Sequence, residues 1–215
     1  LSAQFNRPTG GACDAAGNAY VAEADGHVVR KVQVGTNSVS TIAGTANTPG
    51  HNDAAGLAAL FTMPTDVAQI GAAISASGNL ELLVTDTANN CVRRIEMTGP
   101  TGAVTTYAGS LTQVAGFTDG PLALFAQPHG IATDATGTAY VTELGNFAVR
   151  KILMDAAHTV SLVAGTGATG GVDDVAESAS FSTPRGIAVD AAGYLAVADA
   201  GNSAVRLIAP EGVVT

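Results

Sequence analysis

Apolar and polar residues alternate along short segments of this chain, and these segments are separated by turn signals. In residues 186–190 the alternation has a period of two, residues 191–193 read Ala-Ala-Gly, and residues 194–198 alternate again. A second turn signal precedes a third alternating segment at residues 204–208. A period of two is typical of a β-strand with one buried face, whereas an amphipathic helix repeats every 3.6 residues. The pattern therefore predicts an all-β protein.

The segments belong to one repeat that occurs four times. The motif Ala-x-Phe-x-x-Pro opens each copy, and its prolines are Pro8, Pro64, Pro128 and Pro184. In each copy an acidic residue precedes an arginine by seven positions, which gives the pairs Glu23 and Arg30, Asp86 and Arg93, Glu143 and Arg150, and Asp199 and Arg206. We place the repeats at about residues 1–58, 59–122, 123–178 and 179–215. Tandem units of four short strands predict a single β-propeller region with four-stranded blades.

The second repeat is longer than the others. Its proline and arginine are 29 positions apart, whereas this distance is 22 in the other three copies. We assign the seven extra residues to the segment 69–77, between the first two predicted strands.

Residues 184–193, Pro-Arg-Gly-Ile-Ala-Val-Asp-Ala-Ala-Gly, and residues 197–206, Val-Ala-Asp-Ala-Gly-Asn-Ser-Ala-Val-Arg, carry a family resemblance. They resemble the NHL-repeat β-propellers, in particular the long-linker type with Ala-x-Phe-x-x-Pro and Leu-Ala-Gly-like elements. All four repeats take part. Members of that family usually have more than four blades, often six, so the resemblance leaves open a small four-bladed ring or part of a longer propeller, and we favour the latter. It implies an architecture rather than a function.

Composition narrows the possible partners. Charged residues make up 13% of the chain, about half of the ~25% usual in soluble domains, and Gly and Ala are abundant. Small side chains suit the crowded inner strands of a propeller. The net charge of −9 would repel a phosphate backbone, so we expect no nucleic-acid partner. No apolar run approaches the ~18 residues of a membrane helix, so we expect no membrane insertion.

Several residue types could in principle carry chemistry. The acid and arginine pairs recur in every repeat, whereas a catalytic site is needed once, so we interpret them as structural pairs and predict no catalytic residue. Linker aspartates could bind Ca²⁺, but each linker offers only one or two carboxylates, so we expect loop-capping hydrogen bonds; these residues are Asp53, Asp119, Asp173 and Asp174. Cys13 and Cys91 allow one disulfide or two free thiols.

The residue after each repeat proline is the best candidate for binding. This position should lie at the entry of the innermost strand, near one mouth of the central channel, and it differs among the repeats: Thr9, Thr65, His129 and Arg185. Peptidyl-hydroxyglycine amidating lyases share the architecture and carry zinc-binding histidines at such Pro-x-Gly positions. Only His129 matches here, and a catalytic zinc needs three protein ligands. We therefore expect neither a metal nor another cofactor.

These observations favour a non-enzymatic binding or assembly module. It would present its loop faces to a protein, peptide or glycan partner, as part of a larger secreted or cell-surface protein or assembly. The scarcity of lysine and the acidic balance favour the extracellular location. The alternative is a lyase or hydrolase acting at the channel mouth around His129 and Arg185.

Overall fold

A computed structural model describes residues 3–70 and 78–215 of the chain. These residues form four antiparallel sheets, one for each sequence repeat, and we call the sheets blades 1 to 4. Blade 1 contains β1 (Pro8–Cys13), β2 (Ala19–Glu23), β3 (Val28–Gln33) and β4 (Ser38–Ala43). Blade 2 contains β5 (Pro64–Ile70), β6 (Leu80–Asp86), β7 (Cys91–Met97) and β8 (Gly102–Gly109).

The second half of the chain repeats this order. Blade 3 contains β9 (Pro128–Thr133), β10 (Ala139–Glu143), β11 (Ala148–Ile152) and β12 (Val160–Ala164). Blade 4 contains β13 (Pro184–Val189), β14 (Leu195–Asp199) and β15 (Ala204–Ile208), and an isolated bridge from Ile208 to Val214 stands where its fourth strand would begin. Single-turn 3-10 helices occupy Gly56–Ala58, Thr87–Asn89, Ala176–Ser178 and Ala200–Asn202.

The innermost strands of the blades, β1, β5, β9 and β13, pack against one another in that order. Each begins at a repeat proline, which suits a strand start because proline has no amide hydrogen to donate. Three hydrophobic cores fill the spaces between blades 1 and 2, 2 and 3, and 3 and 4. The chain is therefore an all-β protein with its blades arranged as in a β-propeller, which confirms the predicted fold class.

Each blade has two faces. We call the side that carries the repeat arginine the arginine face, and the other side the opposite face. Tyr20 and Val29 on the opposite face of blade 1 share a core with Val84 and Phe61 of blade 2. The same arrangement recurs at the next two junctions. Every internal junction therefore joins an opposite face to the arginine face of the following blade.

The four blades form an open arc. Strand β13 does not pack against β1 as the other inner strands pack against their neighbours, among the residues described. Phe5 in blade 1 is 37% exposed, whereas its counterparts Phe61, Phe125 and Phe181 are fully buried. The small four-bladed ring, one of the two expected arrangements, is therefore not formed, and one face remains uncovered at each end of the arc.

The remaining expectations concern the insertion, the thiols and membrane spans. Blade 2 is lengthened at β5 and β6, but residues 71–77 of the assigned insertion lie outside the described residues. Cys13 is exposed, Cys91 is buried, and both are free thiols. None of the helices in the described ranges is long and apolar enough to cross a bilayer.

Candidate functional site

The repeat arginine is the centre of a buried ionic cluster in blades 2, 3 and 4, best seen in blade 3. Arg150 is fully buried and donates from Nη1 to Glu143 at 3.1 Å. Its Nη2 donates to Asp119 and to the carbonyl of Thr118. The guanidinium lies over the ring of Phe125, with its carbon 5.5 Å from the ring centroid. The arginine thus joins its own blade to the linker that precedes it.

Blades 2 and 4 contain the same cluster. Arg93 bonds Asp86 at 2.9 Å and Asp53 at 2.5 Å, and Arg206 bonds Asp199 at 3.3 Å and also Asp173. In blade 1 Arg30 bonds Glu23 alone among the described carboxylates. The predicted acid partners are thus all in contact with their arginines. The linker acids were expected to cap loops, and the sequence did not reveal them as second partners, because 31 to 40 positions separate them from the arginines.

The electrostatics of these clusters favour a structural role. Burial raises the pKa of Glu143 to about 7, against the opposing effect of Arg150. Its carboxylate also accepts hydrogen bonds from the amide of Ala126 at 2.7 Å and from Asn146 at 2.9 Å. Arg150 and Glu143 are fully buried and bonded to protein groups, so the pair at the centre of the cluster is closed to a substrate, and Asp119, with a side chain 53% exposed, is its solvent-facing member.

The four residues predicted at the channel mouth lie at the start of the inner strands. Arg185 Nη1 is 3.3 Å from His129 Nε2, so these two side chains form a pair across β9 and β13. Thr9 is exposed and its hydroxyl donates to the carbonyl of Ala22 at 3.4 Å, within its own blade. Thr65 is buried, and its hydroxyl donates to the backbone carbonyl of His129 at 2.8 Å. The structure therefore brings Thr65, His129 and Arg185 together.

A buried hydroxyl cluster supports this pair from below. Thr65 Oγ1 lies 3.1 Å from Thr85 Oγ1 and 2.6 Å from Thr87 Oγ1. The hydroxyl of Thr85 also donates to the carbonyl of His129 at 2.7 Å, and Thr87 donates to that of Pro128 at 2.6 Å. Thr65 therefore holds the backbone beneath His129, and its buried hydroxyl does not reach outward to a ligand.

The charge state of the mouth follows from its contacts. Desolvation, together with the positive charges of Arg185 and Arg7, lowers the pKa of His129 to about 4. The imidazole is therefore neutral at pH 7 and accepts a hydrogen bond from Arg185 through Nε2. Arg185 is exposed, and it is the only arginine in the described part of the chain that forms no ion pair with a carboxylate. The mouth thus presents an available cation in an acidic protein.

Asp66 is a residue of this region that the sequence interpretation missed. It occupies the place of the glycine in Pro-x-Gly, which the other repeats keep at Gly10, Gly130 and Gly186. Its carboxylate accepts from the amides of Val67 at 2.9 Å and Ile131 at 3.1 Å, and so joins β5 to β9. Burial raises its pKa to about 6. The departure from the Pro-x-Gly pattern was the available signal.

The described residues offer no group of three or more His, Cys, Asp or Glu side chains placed to hold a metal ion. His27, His51 and His158 lie apart from the mouth, the first two bonded to Met63 and Thr106 and the third stacked on Tyr107. The mouth offers hydroxyls, the neutral imidazole of His129 and the guanidinium of Arg185, beside an Asp66 carboxylate that is bonded to backbone amides.

Comparison with known proteins supports the fold and leaves the function open. No protein-family model matches the chain. It is 35% identical over 85 residues to Protein SUPPRESSOR OF QUENCHING 1, chloroplastic, from Arabidopsis thaliana, a match that covers 40% of this chain and 8% of that protein. The chain thus corresponds to a small part of this curated relative.

Solved structures give the same picture. An auxiliary nutrient binding protein from Bacteroides ovatus superposes with a TM-score of 0.68 at 16% identity, over 96% of this chain and 49% of that one. Virginiamycin B lyase from Staphylococcus aureus superposes with a TM-score of 0.62 at 15% identity, and the match covers 100% of this chain and 56% of that one. A structure of the nidogen/laminin complex superposes with a TM-score of 0.64 at 16% identity, and the match covers 94% of this chain and 60% of that one. Such neighbours include binding proteins and an enzyme, and the chain spans about half the length of each of the first two.

Proposed function

We propose that the chain is a non-enzymatic binding or assembly module whose contact point is the channel mouth at His129 and Arg185. The observation that carries the proposal is the guanidinium of Arg185, which is exposed and forms no ion pair with any carboxylate in the described ranges, whereas the six other arginines are paired. A guanidinium presents several donors in a planar fork that matches a carboxylate. The partner is a protein, peptide or glycan that places a carboxylate against it.

The surroundings of Arg185 support recognition rather than general attraction of anions. Its backbone carbonyl accepts a hydrogen bond from Thr142 Oγ1 at 2.5 Å, which ties the start of β13 to blade 3. Its side chain donates to the neutral imidazole of His129, which adds no positive charge of its own. Both constraints reduce the freedom that Arg185 would lose on binding, and a preorganised donor binds more tightly than a mobile one.

The same geometry disfavours the rival lyase or hydrolase. A general base works best when its pKa lies near the operating pH. His129, with a pKa lowered to about 4, is a weak base at neutral pH. The carboxylate of Asp66 is occupied by backbone amides. The observation that keeps an enzyme in consideration is the fold likeness to virginiamycin B lyase.

Binding to arrays of acidic peptides and of carboxylate-bearing glycans tests the proposal, with affinities then measured by calorimetry. Arg185→Gln should weaken binding of the selected ligand at least about tenfold, which corresponds to 1.4 kcal/mol. Lys31→Gln is the control, because it also removes one positive charge but lies in β3, away from the inner strands at the mouth. Equal affinities for the two variants would contradict the proposal.

The enzyme alternative has its own test. If the mouth is catalytic, His129→Ala abolishes turnover in a panel of lyase and hydrolase substrates while the protein stays folded. On the binding proposal the unaltered chain shows no turnover in that panel. A secreted or cell-surface location and membership of a larger assembly complete the proposal, and fractionation of the source cells with an antibody to the chain would test the location.

A further inference from the structure

Each junction inside the chain joins the opposite face of one blade to the arginine face of the next, and the two ends of the arc expose one face of each kind. Among the described residues, none covers the opposite face of blade 4 or the arginine face of blade 1. We propose that the opposite face of blade 4 in one copy of this chain packs on the arginine face of blade 1 in a second copy. The contact is head to tail, because the two faces are different surfaces.

The opposite face of blade 4 carries an apolar residue that is buried at every internal junction. Val205 pairs with Ala198 in the sheet, at the position that Val29, Val92 and Val149 occupy in the other blades. Those three valines are fully buried, whereas Val205 is 70% exposed. Leu207, two residues on, is 49% exposed and borders a hollow of about 180 Å³ with Ala188 and Ala196. This surface is built as the side of a blade junction.

On the arginine face of blade 1, residues that are buried in the other blades are partly exposed. Phe5 is 37% exposed, and its ring lies over the Arg30 guanidinium, with 5.6 Å between the guanidinium carbon and the ring centroid. The side chain of Arg30 is 18% exposed, whereas Arg93 and Arg150 are fully buried. Phenylalanine and arginine are therefore arranged as at the internal junctions, but nothing in the described part of the chain covers them.

The internal junctions indicate what each face accepts. One core contains both Phe61 of blade 2 and Val29 of blade 1, and another contains Phe181 of blade 4 and Val149 of blade 3. Each junction thus buries a phenylalanine from one blade with a valine from the blade before. A second copy would bring Phe5 and Val205 into the same relation. The second copy is the occupant of choice because every copy carries both halves of one junction.

Backbone spacing supports the same inference. A Cβ on Gly130 would overlap the carbonyl oxygen of Arg185 in blade 4, so the inner strands approach each other closely at an internal junction. A Cβ on Gly186, at the equivalent place in blade 4, would meet nothing nearer than the Cβ of Ala198 at 4.0 Å. Gly186 therefore leaves room for a neighbouring backbone on blade 4, but no described strand lies there.

Sedimentation velocity over a wide range of protein concentration tests the proposal. We expect the unaltered chain to associate, and Val205→Glu to raise the dissociation constant at least about tenfold, because the glutamate would be buried without a partner. Leu122→Glu is the matched control, since Leu122 is 88% exposed in the linker between blades 2 and 3. Because Val205 is exposed in the single chain, both variants should melt like the unaltered protein when dilute.

A mixing experiment distinguishes the head-to-tail contact from other association. Phe5→Ser damages only the blade 1 face, and Val205→Glu damages only the blade 4 face. Each variant alone should be largely monomeric, whereas their mixture should form a dimer and nothing larger, because one intact junction remains between them. A monomeric unaltered chain, a Val205→Glu variant that associates like Leu122→Glu, or a mixture without dimer would each overturn the proposal.

Discussion

Replacement of Arg150 by methionine removes the cation from a buried ionic cluster while largely preserving the volume of the side chain. The fully buried Glu143 then keeps only its hydrogen bonds from Ala126 and Asn146. Breaking a buried ion pair by removing one partner costs about 3–5 kcal/mol. Asp119 adds little to this cost, because its side chain is 53% exposed and water can solvate it. For a chain of this size we expect a fall of about 6–20 °C in melting temperature.

Urea unfolding and thermal melts measure the stability lost in Arg150→Met, and two further variants serve as controls for its cause. Arg150→Met combined with Glu143→Gln should recover most of the stability, since no buried charge then lacks a partner. Arg7→Ala breaks the exposed pair with Asp25 and should cost about 0–1 kcal/mol. The reasoning fails if Arg150→Met costs no more than Arg7→Ala, or if the added Gln rescues nothing.

The same cluster predicts a dependence on pH. Burial raises the pKa of Glu143 from its usual 4.5 to about 7 in the folded chain. A raised carboxyl pKa means that folding favours the protonated form, so this group stabilises most below pH 4.5 and its contribution is lost as the pH rises through about 7. Without Arg150, burial disfavours the Glu143 carboxylate anion still more, because the nearby positive charge that stabilised it is gone. The deficit of Arg150→Met should therefore shrink in acid and grow toward neutral pH.

Further expectations follow from single sites. The ring protons of His129 should titrate near pH 4 in an NMR titration, because desolvation and two arginines lower its pKa to about 4. Burial raises the pKa of Asp66 from 3.8 to about 6, so the folded chain should lose stability as the pH rises through this range. Asp66→Asn should make that loss of stability smaller, because asparagine does not ionise. Thiol labelling of the native chain should modify the exposed Cys13 and reach the buried Cys91 only after denaturant is added. In melts of dilute protein, Gly130→Ala should be destabilising and Gly186→Ala close to neutral, because only the first would force a Cβ into a neighbouring backbone.

The sequence predicted most of the fold because the fold is repetitive and its signals are local. Period-two segments, turn residues and the prolines at Pro8, Pro64, Pro128 and Pro184 all recur in register, and the strands begin where the prolines predict. The acid and arginine pairs were also visible, since seven positions carry the chain from one strand through a tight turn to the facing strand. What repetition could not decide was closure, because whether β13 meets β1 depends on curvature rather than on any single motif.

The contacts missed by sequence reasoning are those between residues far apart in the chain. Asp53, Asp119 and Asp173 meet their arginines only after a long linker folds back, and no local pattern marks that contact. Asp66 departs from the repeat at one place, and its bond to Ile131 spans 65 positions. Thr65 was predicted as a binding residue near the channel mouth because it follows a repeat proline, but its hydroxyl is buried in a cluster with Thr85 and Thr87.

The bonds from Arg93, Arg150 and Arg206 to the linkers that precede them show where a transferable blade of this protein begins. Asp53 bonds Arg93 and accepts from the amide of Thr106, so the linker after blade 1 is fastened to blade 2. A deletion or domain fusion made at the Ala-x-Phe motif would leave that carboxylate behind. Arg30, with one acid partner and an exposed edge, shows what the arginine of such a cut blade would look like. A protein engineer who transplants a blade should therefore take the linker that precedes it.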